Sequence, residues 1–273
     1  MSSQYMTSGM RQYLFVDNFR GFTNTQVPIV DVNFLVGENS TGKTSLLSLL
    51  RLFSSPYIFM GSEFHGESDI QFGPFNEMVS VHAEDRSYFR IGFIAERIPI
   101  EKNDPNWVNG LLLTYIDHAG LPQISGITCV VGKTEIYLRW QDGRILFKFK
   151  QLGDITTADD MTRLIPVWIA DHAGVGVELT ELSLPDNLKT EGIPLFMITS
   201  MAAQVAAKTQ AGPSKDASSF PFFMPFFGPP LVWIAPIRTK PRRTYDDPQT
   251  AFSSEGCKRQ RKPSVPSMNL VMK

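Results

Sequence analysis

Cysteine and histidine are scarce in this chain. Of 273 residues, only Cys129 and Cys257 are cysteine and only four are histidine. Two distant thiols make no disulfide framework, and no Cys or His pair stands at metal-ligand spacing. Zinc chemistry is therefore unsupported, and a reducing cytoplasm is the natural setting. The opening residues, MSSQYMTSGMRQYLF, lack the basic start and apolar run of a secretion signal, so cytoplasmic residence is expected. Long apolar runs are missing too. The most apolar stretch, Phe220 to Pro236, is interrupted by Pro221, Pro225, Pro229 and Pro230, whereas a bilayer-spanning helix needs about 20 mostly apolar residues. No membrane partner is expected.

An excess of either charge is also absent, since the net charge is −1. That balance hides an asymmetry: residues 236–273 hold nine Lys/Arg against three Asp/Glu, and the first 235 hold 17 against 24. The chain is long enough, with 42% apolar residues, to bury one large core or two modest ones.

Strand-like spacing opens the readable part, from Tyr13 to Phe22, with a turn at Arg20-Gly21. Val30, Val32, Phe34 and Val36 then fall at period two, and Leu35 makes the end apolar on both faces. The pattern predicts a strand inside a covered sheet. Lys43–Phe53 carries six large apolar residues without Gly or Pro and predicts a buried helix. Between Ile70 and Phe149 the pattern changes to short alternating runs, among them Tyr88–Ile94, Glu135–Trp140 and Ile145–Phe149. The last two are joined through Asp142-Gly143, a strong hairpin signal, so antiparallel sheet is predicted there. A helix is predicted near Ile198–Lys208, a polar linker over Ala211–Ser219, and a strand over Leu231–Ile237.

Between the second strand and the first helix lies Gly37-Glu38-Asn39-Ser40-Thr41-Gly42-Lys43-Thr44, which fits G-x-x-x-x-G-K-[ST] in full. Two glycines allow the tight path that turns successive N–H groups toward phosphate oxygens, and the helix adds its positive N-terminal end. Lys43 would reach the β- and γ-phosphates, and the Thr44 hydroxyl would ligate Mg²⁺. The string arises by chance in a chain of this length in roughly one protein per hundred. Its strand-then-helix context lowers that further. Gly132-Lys133-Thr134 is a decoy, because the preceding Ile127–Val131 is β-branched and stiff and reads as a strand.

Around this loop a resemblance emerges. Asn18-Phe19-Arg20-Gly21-Phe22 precedes it, and the loop continues into Ser45-Leu46. The pairing resembles the N-terminal lobe of ABC-type ATPases of the SMC/RecF/OLD group. Phe72-Gly73-Pro74-Phe75-Asn76-Glu77 resembles a stretch of the OLD-like members, and Trp233–Arg238 with Pro241–Tyr245 resembles their "PlR" segment. The resemblance implies an α/β P-loop NTPase fold binding ATP and Mg²⁺, with sites formed between two copies or with a separate ATPase half. It places Asn18 and Arg20 near the adenine end of the nucleotide and Ser45 in the phosphate-binding set. Otherwise Asn18 and Arg20 read as a surface turn. DNA, on which many such relatives act, would be met through Arg238, Lys240, Arg242 and Arg243; a solvated charge run is the other reading.

The expected organisation is one lobe over residues 1–256, with an antiparallel β-rich insertion at about 70–210, and an irregular basic tail over 257–273. The group's signature serine, Asp-Glu strand end and switch histidine follow the "PlR" segment and are not found here, so a C-terminal lobe is expected to be lacking. Leu111–Asp117 and Pro166–Asp171 end in Asp but are followed by His; both read as strands closing in turns. His65 and His82 read as exposed loop or sheet residues. Three functional readings stand: half of an ATPase in a DNA-directed or phage-defence process, a non-hydrolysing ATP-binding regulatory module, or a truncated inactive remnant. The inventory predicts that the chain alone binds ATP but releases phosphate barely above background, because in-line attack also needs a positioned water. Steady-state phosphate release of about one per second or more, abolished by Lys43→Ala, would overturn that expectation.

Overall fold

The computed structural model describes residues 10–30, 32–38, 42–54, 58, 72–97, 107–131, 133–153, 155, 157–174, 178–183 and 195–211. The chain divides into two compact units, Met1–Leu231 and Val232–Lys273, and every described residue belongs to the first. The Leu231–Ile237 strand, the basic segment Arg238–Arg243 and the tail lie outside the described residues.

Eight strands form one sheet in the order β2-β1-β3-β4-β5-β6-β7-β8. They are β1 (Met10–Asp17), β2 (Thr25–Ile29), β3 (Tyr88–Arg97), β4 (Trp107–His118), β5 (Leu121–Val131), β6 (Thr134–Gln141), β7 (Arg144–Gln151) and β8 (Thr180–Glu181). Every pairing is antiparallel. From β3 to β7 the sheet is a meander of neighbours joined in chain order, as the alternating runs predicted. At the β6–β7 hairpin Asp142 and Gly143 both have positive φ, 51° and 74°, the twist that suits a two-residue connection. Of the decoy Gly-Lys-Thr, Lys133 lies in a turn and Thr134 opens β6.

The sheet is accompanied by α1 (Lys43–Ser54), α2 (Phe75–Met78), α3 (Ala158–Thr162), α4 (Ile165–His172) and α5 (Leu195–Ala211). The helices α1 and α5 match the sequence prediction closely. Pro166–Asp171, predicted as a strand, lies instead inside α4. Proline in the first turn of a helix loses no intrahelical hydrogen bond and brings a suitable φ, so Pro166 is compatible with a helix start and not with a sheet interior. Among the described residues no helix is long and apolar enough to cross a membrane.

A second departure is larger. Residues 33–37 are irregular, and the expected strand over Val30–Val36 is not in the sheet. Val30, Val32, Phe34 and Val36 are 57%, 67%, 84% and 88% exposed. The period-two pattern is present, but the described residues of the run make no ladder.

The two sheet faces differ in chemistry. On one, Leu14, Val16, Phe89, Ile91, Phe93, Leu111, Leu113, Ile136 and Leu138 pack with Leu46, Leu49 and Phe53 of α1, Phe75 and Met78 of α2, and Leu195, Ile198 and Ala202 of α5. Phe53 stacks on Phe93 with ring centroids 5.3 Å apart. The opposite face has a smaller apolar cluster, in which Phe15, Ile94, Leu112 and Val130 meet Met161, Ile165 and Trp168 of α3 and α4. Polar groups fasten these helices down. Thr157 and Asp160 form a reciprocal cap at the start of α3, Glu96 accepts from the Ala158 amide at 2.8 Å, and the Trp168 indole donates to Glu135 at 2.9 Å.

Beside that cluster lies a buried polar group of residues. Arg90 and Asp17 pair at 3.0 Å, and Lys148 pairs with Asp171 at 2.6 Å. His172, at the end of α4, places Nδ1 2.5 Å from Thr114 Oγ1 and Nε2 2.8 Å from Thr128 Oγ1. Its ring lies 4.9 Å from that of Tyr137. Burial pushes the His172 pKa down to about 3, helped by the nearby charges of Arg90, Arg139 and Lys148, so it is neutral in the fold.

A base that is neutral when folded and titrates near 6.5 when unfolded stabilises the fold fully above pH about 6.5, and that stability is lost as pH falls toward 3. Wild-type protein should therefore lose about 2 kcal/mol more between pH 7 and pH 5 than His172→Gln does. Urea unfolding at the two pH values measures the difference. Equal losses would mean that His172 accepts its proton without unfolding.

Candidate phosphate-binding site

The site is built from the end of β1 outward. After Asp17 the chain reverses in a tight turn: the Phe19 amide donates to the Phe22 carbonyl at 3.1 Å, and the Phe22 amide donates back at 2.9 Å. Asn18 and Arg20 both have positive φ, 56° and 50°. Asparagine tolerates this conformation better than most residues, and both donors of its side-chain nitrogen are used, while Oδ1 is buried without a hydrogen-bond partner among the described residues. Asn18 Nδ2 donates to the carbonyls of Asp85 and Tyr88 at 2.7 and 2.6 Å. Phe19 is buried against Phe72 and Phe89. The Arg20 amide donates to the Met78 carbonyl at 2.6 Å, and the Ser80 amide to the Asn18 carbonyl at 2.9 Å. This turn is thereby tied to the C-terminal end of α2.

Its outer end meets the phosphate loop. Gly42, which begins α1 by accepting from the Leu46 amide at 2.9 Å, has φ +88°, and a Cβ added there would lie 2.7 Å from Phe22 Cζ. Glycine at this position thus answers two demands, a left-handed backbone and the close approach of an aromatic ring. The helix that follows is anchored by buried Ser45, Leu46, Leu49, Leu52 and Phe53, while Thr44 is exposed. Lys43 Nζ turns back over the loop and donates to the carbonyls of Gly37, at 2.8 Å, and Glu38. Asn39, Ser40 and Thr41 lie outside the described residues.

Arg20 connects the turn to the helix. Nη1 donates to Ser45 Oγ at 2.7 Å and Nη2 to the Phe72 carbonyl at 2.9 Å. The guanidinium carbon lies 5.6 and 5.7 Å from the ring centroids of Phe19 and Phe72. Partial burial lowers the Arg20 pKa, with Glu77 opposing. The sequence signals gave no hint of the Ser45 bond or of Phe22 covering Gly42.

The two aspartates that could have completed a hydrolytic site are engaged elsewhere. Asp117, next to last in β4, accepts from the Gly120 amide at 2.7 Å across the β4–β5 turn, in line with its reading as the end of a strand. Asp171 lies in α4 and pairs with Lys148. His82 occupies an exposed turn, and His65 lies outside the described residues. Among the described residues no group of three His, Cys, Asp or Glu could hold a metal ion. The arginines and lysine expected to meet DNA, Arg238, Lys240, Arg242 and Arg243, also lie outside them.

With this geometry in view, residues 10–107 match the AAA ATPase domain family. That stretch, about a third of the chain, holds β1, the turn, the loop, α1, α2 and β3, and the similarity to ATPase domains is confined to it. No curated protein matches. Among solved structures the chain is similar to the recombination mediator protein RecF, in its RecF-ATP structure in the RecFOR pathway. The identity is 16% and the TM-score 0.29, covering 57% of this chain and 31% of that one. The likeness thus spans about a third of the RecF chain, too distantly to carry function across.

Gly42 and Gly120 have nearly equal positive φ, +88° and +85°, but nothing lies within 4 Å of a Cβ at Gly120. Alanine at either position should cost about 1–2 kcal/mol for the backbone. Gly42→Ala should cost more than Gly120→Ala because it also displaces Phe22. Denaturant unfolding of the two variants tests the difference, and equal losses would show that the Phe22 contact is not what Gly42 serves.

Proposed function

We propose that this chain binds MgATP at the loop Gly37–Thr44. The observation that carries the reading is the position of Lys43. Its ammonium is held over the loop by the carbonyls of Gly37 and Glu38, at the N-terminus of a 12-residue helix, with Gly37 and Gly42 both at positive φ. A phosphate oxygen can take the place of those carbonyls as the partner of the ammonium. The first-turn N–H groups of α1 add donors that have no intrahelical acceptor.

In this reading Lys43 neutralises the β- and γ-phosphates, and Gly37, Glu38, Asn39, Ser40, Thr41 and Gly42 supply backbone amides. Thr44, exposed at the helix start, supplies its hydroxyl to Mg²⁺. Bound Mg²⁺ would screen phosphate charge. The lobe is taken to span residues 1–256, and it works with a second copy or a separate ATPase half in a DNA-directed process. The family match over residues 10–107 supports the ATPase part, and the excess of Lys/Arg over 236–273 supports DNA.

Lys43→Ala should abolish binding of a fluorescent ATP analogue while leaving the melting temperature near that of wild type, since the ammonium meets exposed loop carbonyls and is not part of the apolar core. Unchanged affinity in the folded variant refutes the site. Thr44→Ala should weaken binding chiefly when Mg²⁺ is present; an equal loss in excess chelator would assign Thr44 a role in shaping the loop instead.

A further inference from the structure

We propose that Arg20 is a positioning residue for the phosphate loop, acting through the Ser45 hydroxyl and joining the loop to the Phe72–Met78 segment. The inference rests on the MgATP reading above and assigns Arg20 a role separate from contact with the nucleotide base.

Arg20 and the start of α1 are in electrostatic conflict. The N-terminus of a helix carries partial positive charge, and a cation placed there is unfavourable. Arg20 nevertheless delivers its guanidinium to the first turn of α1, where Nη1 meets Ser45 Oγ at 2.7 Å, in partly buried surroundings. Four features hold it there: the Phe72 carbonyl at 2.9 Å, the faces of Phe19 and Phe72, and the opposing charge of Glu77. An anion on the loop would convert the conflict into an attraction, because helix end and guanidinium would then both face negative charge.

The Ser45 hydroxyl has one proton and two lone pairs. One lone pair is committed to the guanidinium, so the proton points away from Arg20. Ser45 is 6% exposed and sits two residues after Lys43, where its side chain is fixed against the turn and cannot rotate freely. Arg20 thereby sets the direction in which Ser45 can donate and fixes the first turn of α1 beneath the loop. Through its own amide on Met78 and Nη2 on Phe72, the same residue ties this arrangement to α2.

The test is a double-mutant cycle on the full chain, read as affinity for a fluorescent ATP analogue with Mg²⁺, beside melting temperatures without nucleotide. The variants are Arg20→Lys, Arg20→Ala, Ser45→Ala, Arg20→Lys with Ser45→Ala, and Lys43→Ala. Lysine keeps the charge but cannot make both bonds. Arg20→Lys and Ser45→Ala should each weaken binding about tenfold, the scale of a lost charge-assisted hydrogen bond. The double variant should be no weaker than the worse single. Additive losses, or wild-type affinity in Arg20→Lys, overturn the role of Arg20 while the MgATP reading stands if Lys43→Ala has lost binding. Unchanged binding in Lys43→Ala overturns both. Should Arg20→Ala fail to fold, the lysine variant and the cycle with Ser45 still decide.

Discussion

Phe22 occupies the space that a side chain at residue 42 would need, and the placing of the phosphate loop follows from that contact. A loop of eight residues with two glycines has many conformations open to it, and confining it costs entropy on the order of 1–2 kcal/mol per residue. The cost is met at its C-terminal end. There the aromatic ring covers Gly42, Arg20 grips Ser45, and Leu46, Leu49 and Leu52 sink into the larger core. Because the turn that supplies Phe22 and Arg20 leaves β1 directly, the loop is referenced to the sheet through a few bonds rather than through a long lever.

The sheet in turn depends on how its second face is closed. Asp17, the last residue of β1, pairs with Arg90 of β3 where both side chains are nearly buried. Taking two charges out of water gains little over an apolar pair, but removing one partner leaves a buried charge that costs about 3–5 kcal/mol. The pair therefore acts less as a source of stability than as a constraint on register. Asp17 also accepts from the Asn24 amide at 3.0 Å, which sets the path of the chain from the turn into β2. His172 works by a related rule, since a neutral ring with both nitrogens engaged by threonines of β4 and β5 can be buried where a charged one cannot.

Much of this was legible in the sequence, and the reasons differ by element. The strands from β3 to β7 showed because each alternates and each turn carries its own chemistry, as at Asp142-Gly143. Local pattern and final structure agree there. The loop stood out because G-x-x-x-x-G-K-[ST] ties particular residues to particular spacing, and the helix expected after it is α1. The bonds of Arg20 did not stand out, because they join residues 25 and 52 positions apart, and no local period encodes such a meeting. Pro166–Asp171 misled for a related reason: a short apolar run has no period long enough to separate strand from buried helix, and the early proline was the better guide.

Val30 to Val36 shows the limit of pattern more sharply. Alternation specifies which side chains share a face; it does not supply the backbone partner that makes a strand. In the described residues the sheet ends at β2, and the alternating side chains beyond Ile29 remain exposed. The approach to the loop from residues 32–36 therefore contributes no ladder hydrogen bonds to its placement, and Leu35 alone of that run packs against the core. What holds Lys43 in position is consequently the helix side: the Gly42 carbonyl opening α1, the Ser45 bond, and the buried leucines behind them. A loop fixed from the helix side keeps the residues that would meet phosphate, Lys43 and the first-turn amides, on the anchored side of its span, with Gly37 and Glu38 on the exposed side closed over them by the lysine itself.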